Sequence, residues 1–272
     1  MGTAFRSRSR VRVPIRNSGP HVLRTFKLTV AYDGTGYAGW QRQAGVDTVQ
    51  ARLEGAVAEI EGREVTVHGA GRTDAGVHAW GQVASFELEH GIDTPALGRA
   101  LNAKLPDDIR VREVEAVARS FHARFGARQK SYRYRLNVAS VGNPMERRFS
   151  WHLSDPLALS AVKQAGADLV GQHDFAAFQT SASDATVSTT VRTIFDLRIV
   201  HESDEIMAID VVGDGFLRYM VRTIVGTLVE VGLGRRPVDD MPAVLGSLKR
   251  DRAGPTAPAH GLVLVSVSYP DS

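Results

Sequence analysis

The densest run of chemistry in the 272-residue chain is Val67-His68-Gly69-Ala70-Gly71-Arg72-Thr73-Asp74-Ala75-Gly76-Val77-His78-Ala79. Three glycines surround an Arg-Thr-Asp triplet, and alternating apolar segments flank it at Glu64 to His68 and Gln82 to Glu89. That pattern reads as strand, tight loop, strand, with glycines free to take positive φ or to approach a ligand closely. Asp74 then stands at a loop tip on a rigid scaffold, where a carboxylate can act as a covalent nucleophile. An ordinary hairpin turn with a solvated Asp fits the loop equally well. A nucleophilic Asp74 must be ionised, although a cleft dehydrates it and raises its pKa; an arginine partner offsets that. Arg72, Arg218 and Arg222 are the candidates.

A second stretch, residues 119–135, carries Arg119, Arg124, Arg128, Lys130, Arg133 and Arg135 with no acid, interleaved with Phe121, Phe125, Tyr132 and Tyr134. Arginines that hold phosphate and rings that stack on unpaired bases suit RNA. A strand with its tyrosines in the core and its arginines in water has the same pattern. Packing is the better reading for Tyr134, while Tyr132 is open to either.

Elements must position these groups. Arg24 to Tyr32 alternates as a half-buried strand. Asp47 or Thr48 caps a helix to about Glu61 with Val49, Leu53, Ala56, Val57 and Ile60 on one stripe. Thr94-Pro95 opens a helix ending near Pro106, and Arg110 to Val117 and Tyr132 to Val138 read as strands. Further on, a helix is expected from Asp155-Pro156 to about Val170, followed by a polar loop from Ser181 to Thr190. Strands follow at Val191 to His201 and Ile206 to Val212. A helix from about Phe216 to Val231 places Arg218 and Arg222 one turn apart. A helix from Asp240 to Lys249 and a strand from Leu262 to Tyr269 end the chain. Nothing repeats as strand-helix-strand in a parallel register, so the class is α+β.

Composition narrows the function classes. There are no cysteines, which excludes disulfides, thiolate nucleophiles and Cys-based metal sites. No apolar run is long enough to span a bilayer, and with no h-region and cleavage site after the first residues no secretory signal is expected. These features fit a reducing cytoplasm. Five arginines before residue 20 account for the basic excess. Setting them aside leaves 28 of the 33 basic residues against 30 acids, so any nucleic-acid surface on the body is a local patch. Three regions are expected: an Arg-rich, disordered extension over residues 1–22, an α+β domain with the Asp loop over 23–140, and a second α+β domain over 141–272. The hinge is placed at Val141-Gly142-Asn143-Pro144.

Other chemistries fit poorly. His68, Asp74, His78 and His173 can be written as a metal-dependent hydrolase site, but their spacing fixes no convergent ligand set. The glycine loop lacks the Gly-Lys-Ser/Thr ending of a phosphate-cradling loop, and a serine triad lacks its nucleophile elbow. A noncatalytic RNA-binding module would explain residues 119–135 but not an Asp in a glycine loop.

Gly71-Arg72-Thr73-Asp74-Ala75-Gly76-Val77-His78-Ala79 resembles the signature of the tRNA pseudouridine synthases of the TruA type. Other landmarks follow in family order: Tyr32-Asp33-Gly34 with Gly39-Trp40-Gln41-Arg42-Gln43, Asn102-Ala103-Lys104-Leu105-Pro106, Phe121-His122-Ala123-Arg124-Phe125, Tyr132-Arg133-Tyr134, His173-Asp174-Phe175, Arg192-Thr193-Ile194, Met220-Val221-Arg222 and Gly261-Leu262 to Tyr269-Pro270. The resemblance implies isomerisation of uridine to pseudouridine in the anticodon stem-loop of tRNA, at positions 38 to 40. It implies a homodimeric enzyme with no metal or cofactor, and the composition adds the expectation of a cytoplasmic protein without membrane association. The implied fold is two ferredoxin-like halves sharing a mainly antiparallel sheet with a central catalytic cleft. By motif, Asp74 is the implied nucleophile and Arg222 its partner across the cleft. Tyr132 is the implied stacking residue, and Arg72 the arginine that assists nucleotide flipping. Arg218 is an extra charge beside Arg222 and is assigned no pairing role.

Overall fold

The computed structural model describes residues 22–180 and 189–270. In chain order its elements are β1 (Arg24–Tyr32), α1 (Val49–Glu61), β2 (His68–Gly69), β3 (His78–Leu88), α2 (Thr94–Lys104), β4 (Ile109–Val117), β5 (Gln129–Asn137), β6 (Trp151–His152), α3 (Leu159–Ala167), β7 (Gly171–Asp174), β8 (Val191–His201), β9 (Ile206–Gly213), α4 (Met220–Gly232), α5 (Met241–Ser247) and β10 (Leu262–Ser268). The strands form one sheet in the order β4-β1-β3-β10-β5-β9-β8-β7, with β2 on β3 and β6 on β5. Pairing is antiparallel except at β10–β3 and β5–β6. The class is α+β with a mixed, mainly antiparallel sheet. Segments 23–140 and 141–272 both contribute strands to it.

The junction at β10 positions the site. β10 pairs with β3 through Val263 and Leu264 opposite His78 and Ala79, and with β5 through Leu264 opposite Tyr132. Ala79 also lies opposite Tyr32 of β1. One row therefore runs Tyr32, Ala79, Leu264, Tyr132 across four strands, and paired residues project to the same face. The alternation in β1 and β5 buries Phe26, Leu28, Val30 and Tyr32, and likewise Tyr132, Tyr134 and Leu136, on the face that packs with the helices.

α1 forms as its stripe suggests, with Thr48 accepting from the Ala51 N–H and Gly62 ending it in the left-handed region at φ 81°. Several boundaries move, each for a local reason. Strand structure before the loop is confined to His68–Gly69, because the Val67 N–H and C=O are taken by the Glu54 and Gln50 side chains of α1. β3 begins at His78, earlier than expected, because its first residues pair with β10. Asp93, rather than Thr94, caps α2, accepting from Ala96 N at 2.7 Å. The helix expected from Asp155-Pro156 starts only at Leu159: Asp155 pairs with Arg235, and the Ala158 N–H bonds to Gly232 O. α4 starts at Met220 because Tyr219 sits in the left-handed region at φ 63°, a conformation that cannot continue a right-handed helix. α5 is shorter than Asp240 to Lys249. The Arg-rich extension and most of the Ser181 to Thr190 loop lie outside the described residues.

Candidate active site

Asp74 lies in the connection between β2 and β3, and three contacts fix that loop from below. The Thr73 hydroxyl meets the Tyr32 hydroxyl at 2.8 Å. The Trp40 N–H donates to Thr73 O at 3.0 Å. Gln82 Nε2 donates to Gly71 O at 2.9 Å. The closest approach is at Gly39, held at φ +100°. A Cβ there would stand 2.6 Å from Thr73 O and 3.1 Å from the Asp74 carbonyl carbon, so only glycine lets the 37–43 loop run under the Asp loop. Val77 N closes a turn onto Asp74 O at 3.1 Å, leaving the Asp74 side chain to project from the tip.

The side chain meets Arg222 from the far half of the sheet, Nη1 to Oδ2 at 3.1 Å. α4 supplies a rigid mount, with Ile224, Val225 and Leu228 fully buried. At roughly 1.5–3 kcal/mol per buried aliphatic side chain, that face holds the helix firmly. The chain then crosses α4 at Gly226, where a Cβ would stand 1.8 Å from Pro255 O. This crossing brings Ala257 to the arginine: Arg222 Nε donates to Ala257 O at 2.8 Å, and Ala257 N donates to Arg222 O at 3.1 Å. The guanidinium is thus oriented by backbone on one side and by Asp74 on the other.

Burial pushes the Asp74 carboxyl above the usual carboxylate range. The Arg222 hydrogen bond and the charges of Arg222 and Arg218 oppose that without cancelling it. Arg218 makes no ion pair with Asp74: its guanidinium lies 4.9 Å from the Tyr219 ring, as does that of Arg222 on the same ring, and its Nη2 reaches the Tyr219 hydroxyl at 3.3 Å. Tyr132 is 7% exposed and packs its ring edge-on against Phe216, centroids 5.2 Å apart. Burial, and after it the proximity of Tyr32 and Asp74, raises its phenol well above the ordinary value, so it stays protonated. Tyr32 is similarly raised, to about 12. Tyr134 is wholly buried, with its hydroxyl donating to Pro258 O at 2.8 Å, and is a packing residue.

The four residues singled out by the sequence separate into two groups. Asp74, Arg222 and Tyr132 converge. Arg72 faces solvent at the rim, with Nε donating to Gln41 Oε1 at 3.1 Å, and is no part of the Asp74 ion pair. The basic stretch needs a correction. Arg133 is paired to Asp210 and Glu202, and Arg135 to Glu202 and Glu146, so neither is a free phosphate ligand or an arginine left to water. The histidines do not gather. His68 stacks on His122 with centroids 4.8 Å apart, His78 bonds Gly34 N and Arg148 O, and His173 contacts Val170 O. Among the described residues no three His, Asp or Glu side chains converge on a metal-sized site. Sequence reasoning missed the supports at Gly39, Tyr32, Gln82 and Tyr219; only the Tyr-Asp-Gly and Gly-Trp-Gln-Arg-Gln landmarks hinted at the first two.

Comparison with known proteins gives the family. The sequence model of the family described as tRNA pseudouridine synthase matches residues 28–126 and 165–270. A tRNA pseudouridine synthase A from Acetivibrio thermocellus is 45% identical over 247 residues, covering 91% of this chain and 100% of its own. One from Limosilactobacillus fermentum is 47% identical over 252 residues, covering 91% and 96%. Among solved structures, an H/ACA RNP bound to a substrate RNA containing 2'-deoxyuridine aligns at a TM-score of 0.36 and 10% identity. That alignment covers 75% of this chain and 44% of that one, a likeness too faint to argue from. From the family match and the near full-length relatives, the chain belongs to the tRNA pseudouridine synthase family, a family of isomerases.

Proposed function

We propose that this enzyme converts uridine to pseudouridine in the anticodon stem-loop of tRNA, at positions 38 to 40, with Asp74 as nucleophile on a flipped-out base. The observation that carries the reading is the convergence of Asp74, Arg222 and Tyr132 from the β2–β3 connection, α4 and β5. The stem-loop address comes from the motif resemblance. A base inside a stem-loop must leave the stack before its ring can be reached, at a cost of roughly a few kcal/mol. Tyr132 offers the ring on which the base rests, and Arg72 at the rim assists the flip. Asp74 attacks either the uracil ring or the ribose anomeric carbon. The bond from ribose to nitrogen breaks, the uracil turns, a bond from ribose to carbon forms, and the bond to Asp74 breaks to return the free carboxylate. The proton released from that carbon is balanced by one gained at the freed nitrogen.

Arg222 has two tasks in this scheme. It keeps Asp74 ionised against the burial that favours the neutral acid, and it holds the carboxylate in one orientation. Tyr132, kept neutral, is a proton donor beside the reacting base. The reaction is redox-neutral and no group leaves the RNA, so this scheme calls for no metal or cofactor. We extend the reading to two ferredoxin-like halves and a homodimer, as the resemblance implies, and to a cytoplasmic site of action, which the cysteine-free composition fits. The test is to map pseudouridine on tRNA after incubation with pure protein. Wild type is expected to convert uridine at 38 to 40, and Asp74→Asn to bind the same tRNA and leave it unmodified. Full turnover by Asp74→Asn would sink the nucleophile assignment.

A further inference from the structure

Lys130 is a half-buried cation beside the Asp74 loop that the scheme above leaves unused. It precedes Tyr132 by two residues on β5, so both side chains leave the same face, ~7 Å apart along the strand. Its cross-strand neighbours, Gly213 on β9 and Val267 on β10, carry no charge. Nζ reaches the nucleophile loop: a Cβ on Gly71 would stand 3.3 Å from it. Gly71 therefore makes space for an ammonium three residues before Asp74.

The charges around Lys130 are mostly of its own sign. Burial disfavours its protonated form, Arg124 and Arg192 lie close enough to disfavour it further, and Asp214 alone opposes them. Among the described residues Lys130 has no ion-pair partner. The Asp214 carboxylate is engaged elsewhere, accepting from Thr193 N at 3.0 Å. Arg192 is anchored through Nη1 to Thr189 O and Val191 O, with Nε beside Gly215. A partly buried cation without a counter-ion is costly to keep. A ligand that brings the missing negative charge removes that cost.

We infer that Lys130, with Arg192 and Arg124 at its rim, forms the subsite for an RNA backbone phosphate adjoining the target uridine. The inference rests on the reading that this cleft takes RNA. It gives the flipped nucleotide a second anchor beside the stacking ring. The ring holds the base and the ammonium holds the backbone, which together fix where the glycosidic bond stands relative to Asp74.

The test is a cycle between protein and RNA. Stem-loop RNAs are synthesised with a single neutral methylphosphonate at each linkage around the target, and assayed with wild type, Lys130→Met and Lys130→Arg in single turnover and in filter binding. Lys130→Met is expected to lose about 10- to 100-fold in kcat/KM, the effect of one charge-assisted contact. Its salt slope should fall by roughly 0.7 to 0.9, the value of one phosphate contact. Lys130→Arg should recover most of the loss. At one linkage the methylphosphonate should cost wild type as much as Lys130→Met does, and cost Lys130→Met nothing more. Equal penalties for wild type and Lys130→Met at every linkage, or full kcat/KM in Lys130→Met, would overturn the subsite. If Lys130→Met fails to fold, Lys130→Gln carries the same cycle. If wild type leaves uridine unchanged, the functional reading fails, while the binding arm still decides whether Lys130 holds phosphate.

Discussion

Replacing Arg222 by glutamine removes a charge from Asp74 while keeping a hydrogen-bond donor near Oδ2. The wild-type carboxyl already titrates above the ordinary carboxylate range, because burial outweighs the arginine. Without Arg222, the factor that dominates acts with less opposition, so the pKa rises further. A hydrogen bond to a charged group contributes about 1.5–3 kcal/mol. At 1.36 kcal/mol per unit, that is about one to two pKa units. Both side chains are largely enclosed, so solvent screening takes little from the figure. The assay is single-turnover kcat/KM against pH on a stem-loop RNA. In wild type the acid limb follows deprotonation of Asp74, and in Arg222→Gln the limb should move up by about one to two pH units, with much of the plateau recovered at alkaline pH. An unmoved limb with a plateau depressed by orders of magnitude would show that Arg222 acts on the substrate and not on the ionisation of Asp74.

Other outcomes follow from the same geometry. Asp74→Asn should not lower the melting temperature at neutral pH. Because the folded-state pKa is raised, the carboxyl favours the fold below its unfolded pKa and loses that contribution as pH rises through the folded pKa, and Asn imitates the protonated form; a clear drop in calorimetry would refute this. Gly39→Ala should cost about 1–3 kcal/mol in backbone strain alone, lowering the melting temperature by several degrees, and it should cut kcat by about 100-fold by lifting the Asp loop. Normal kcat in that variant would mean the loop is not set from below. Tyr32→Phe removes the Thr73 contact and should cost about 1 kcal/mol in urea unfolding, with kcat falling more than KM rises.

Legibility in the sequence followed the range of the interaction. The alternation of Arg24 to Tyr32, the stripe of α1 and its Thr48 cap are set by neighbours within a few residues, and they were readable. Asp74 with Arg222 and Tyr132 emerged through ordered motifs, since no local pattern links residues 148 apart. The ion pairs of Arg133 and Arg135 were not readable: their acids, Asp210 on β9, Glu202 in the β8–β9 turn and Glu146 before β6, reach β5 through a register and loops not visible from it. Basic groups interleaved with aromatics fit both a phosphate surface and a strand with its arginines in water, whereas the sheet's two faces divide them. Arg133 and Arg135 take the ion-paired face, and Lys130 takes the face of Tyr132 beside the Asp74 loop. The left-handed Tyr219 was likewise invisible, because a non-glycine residue at positive φ is held there by tertiary contacts that propensity does not report.

The place of β10 sets a timetable for biosynthesis. A chain emerging from the ribosome can pair β1, β3 and β4 early, since their contacts lie within residues 24–117. Asp74 is released at that stage. Tyr132 follows, and Arg222 much later, yet Ala79 and Tyr132 acquire their common neighbour only when Leu264 arrives. Until then the sheet has two exposed edges, β3 and β5, that would otherwise be free to pair wrongly. The closing strand therefore serves as a completion signal. The half-made protein carries a carboxylate and a tyrosine that are not yet in register, and catalytic competence appears in one late, long-range step whose rate should be limited by loop closure and not by local structure.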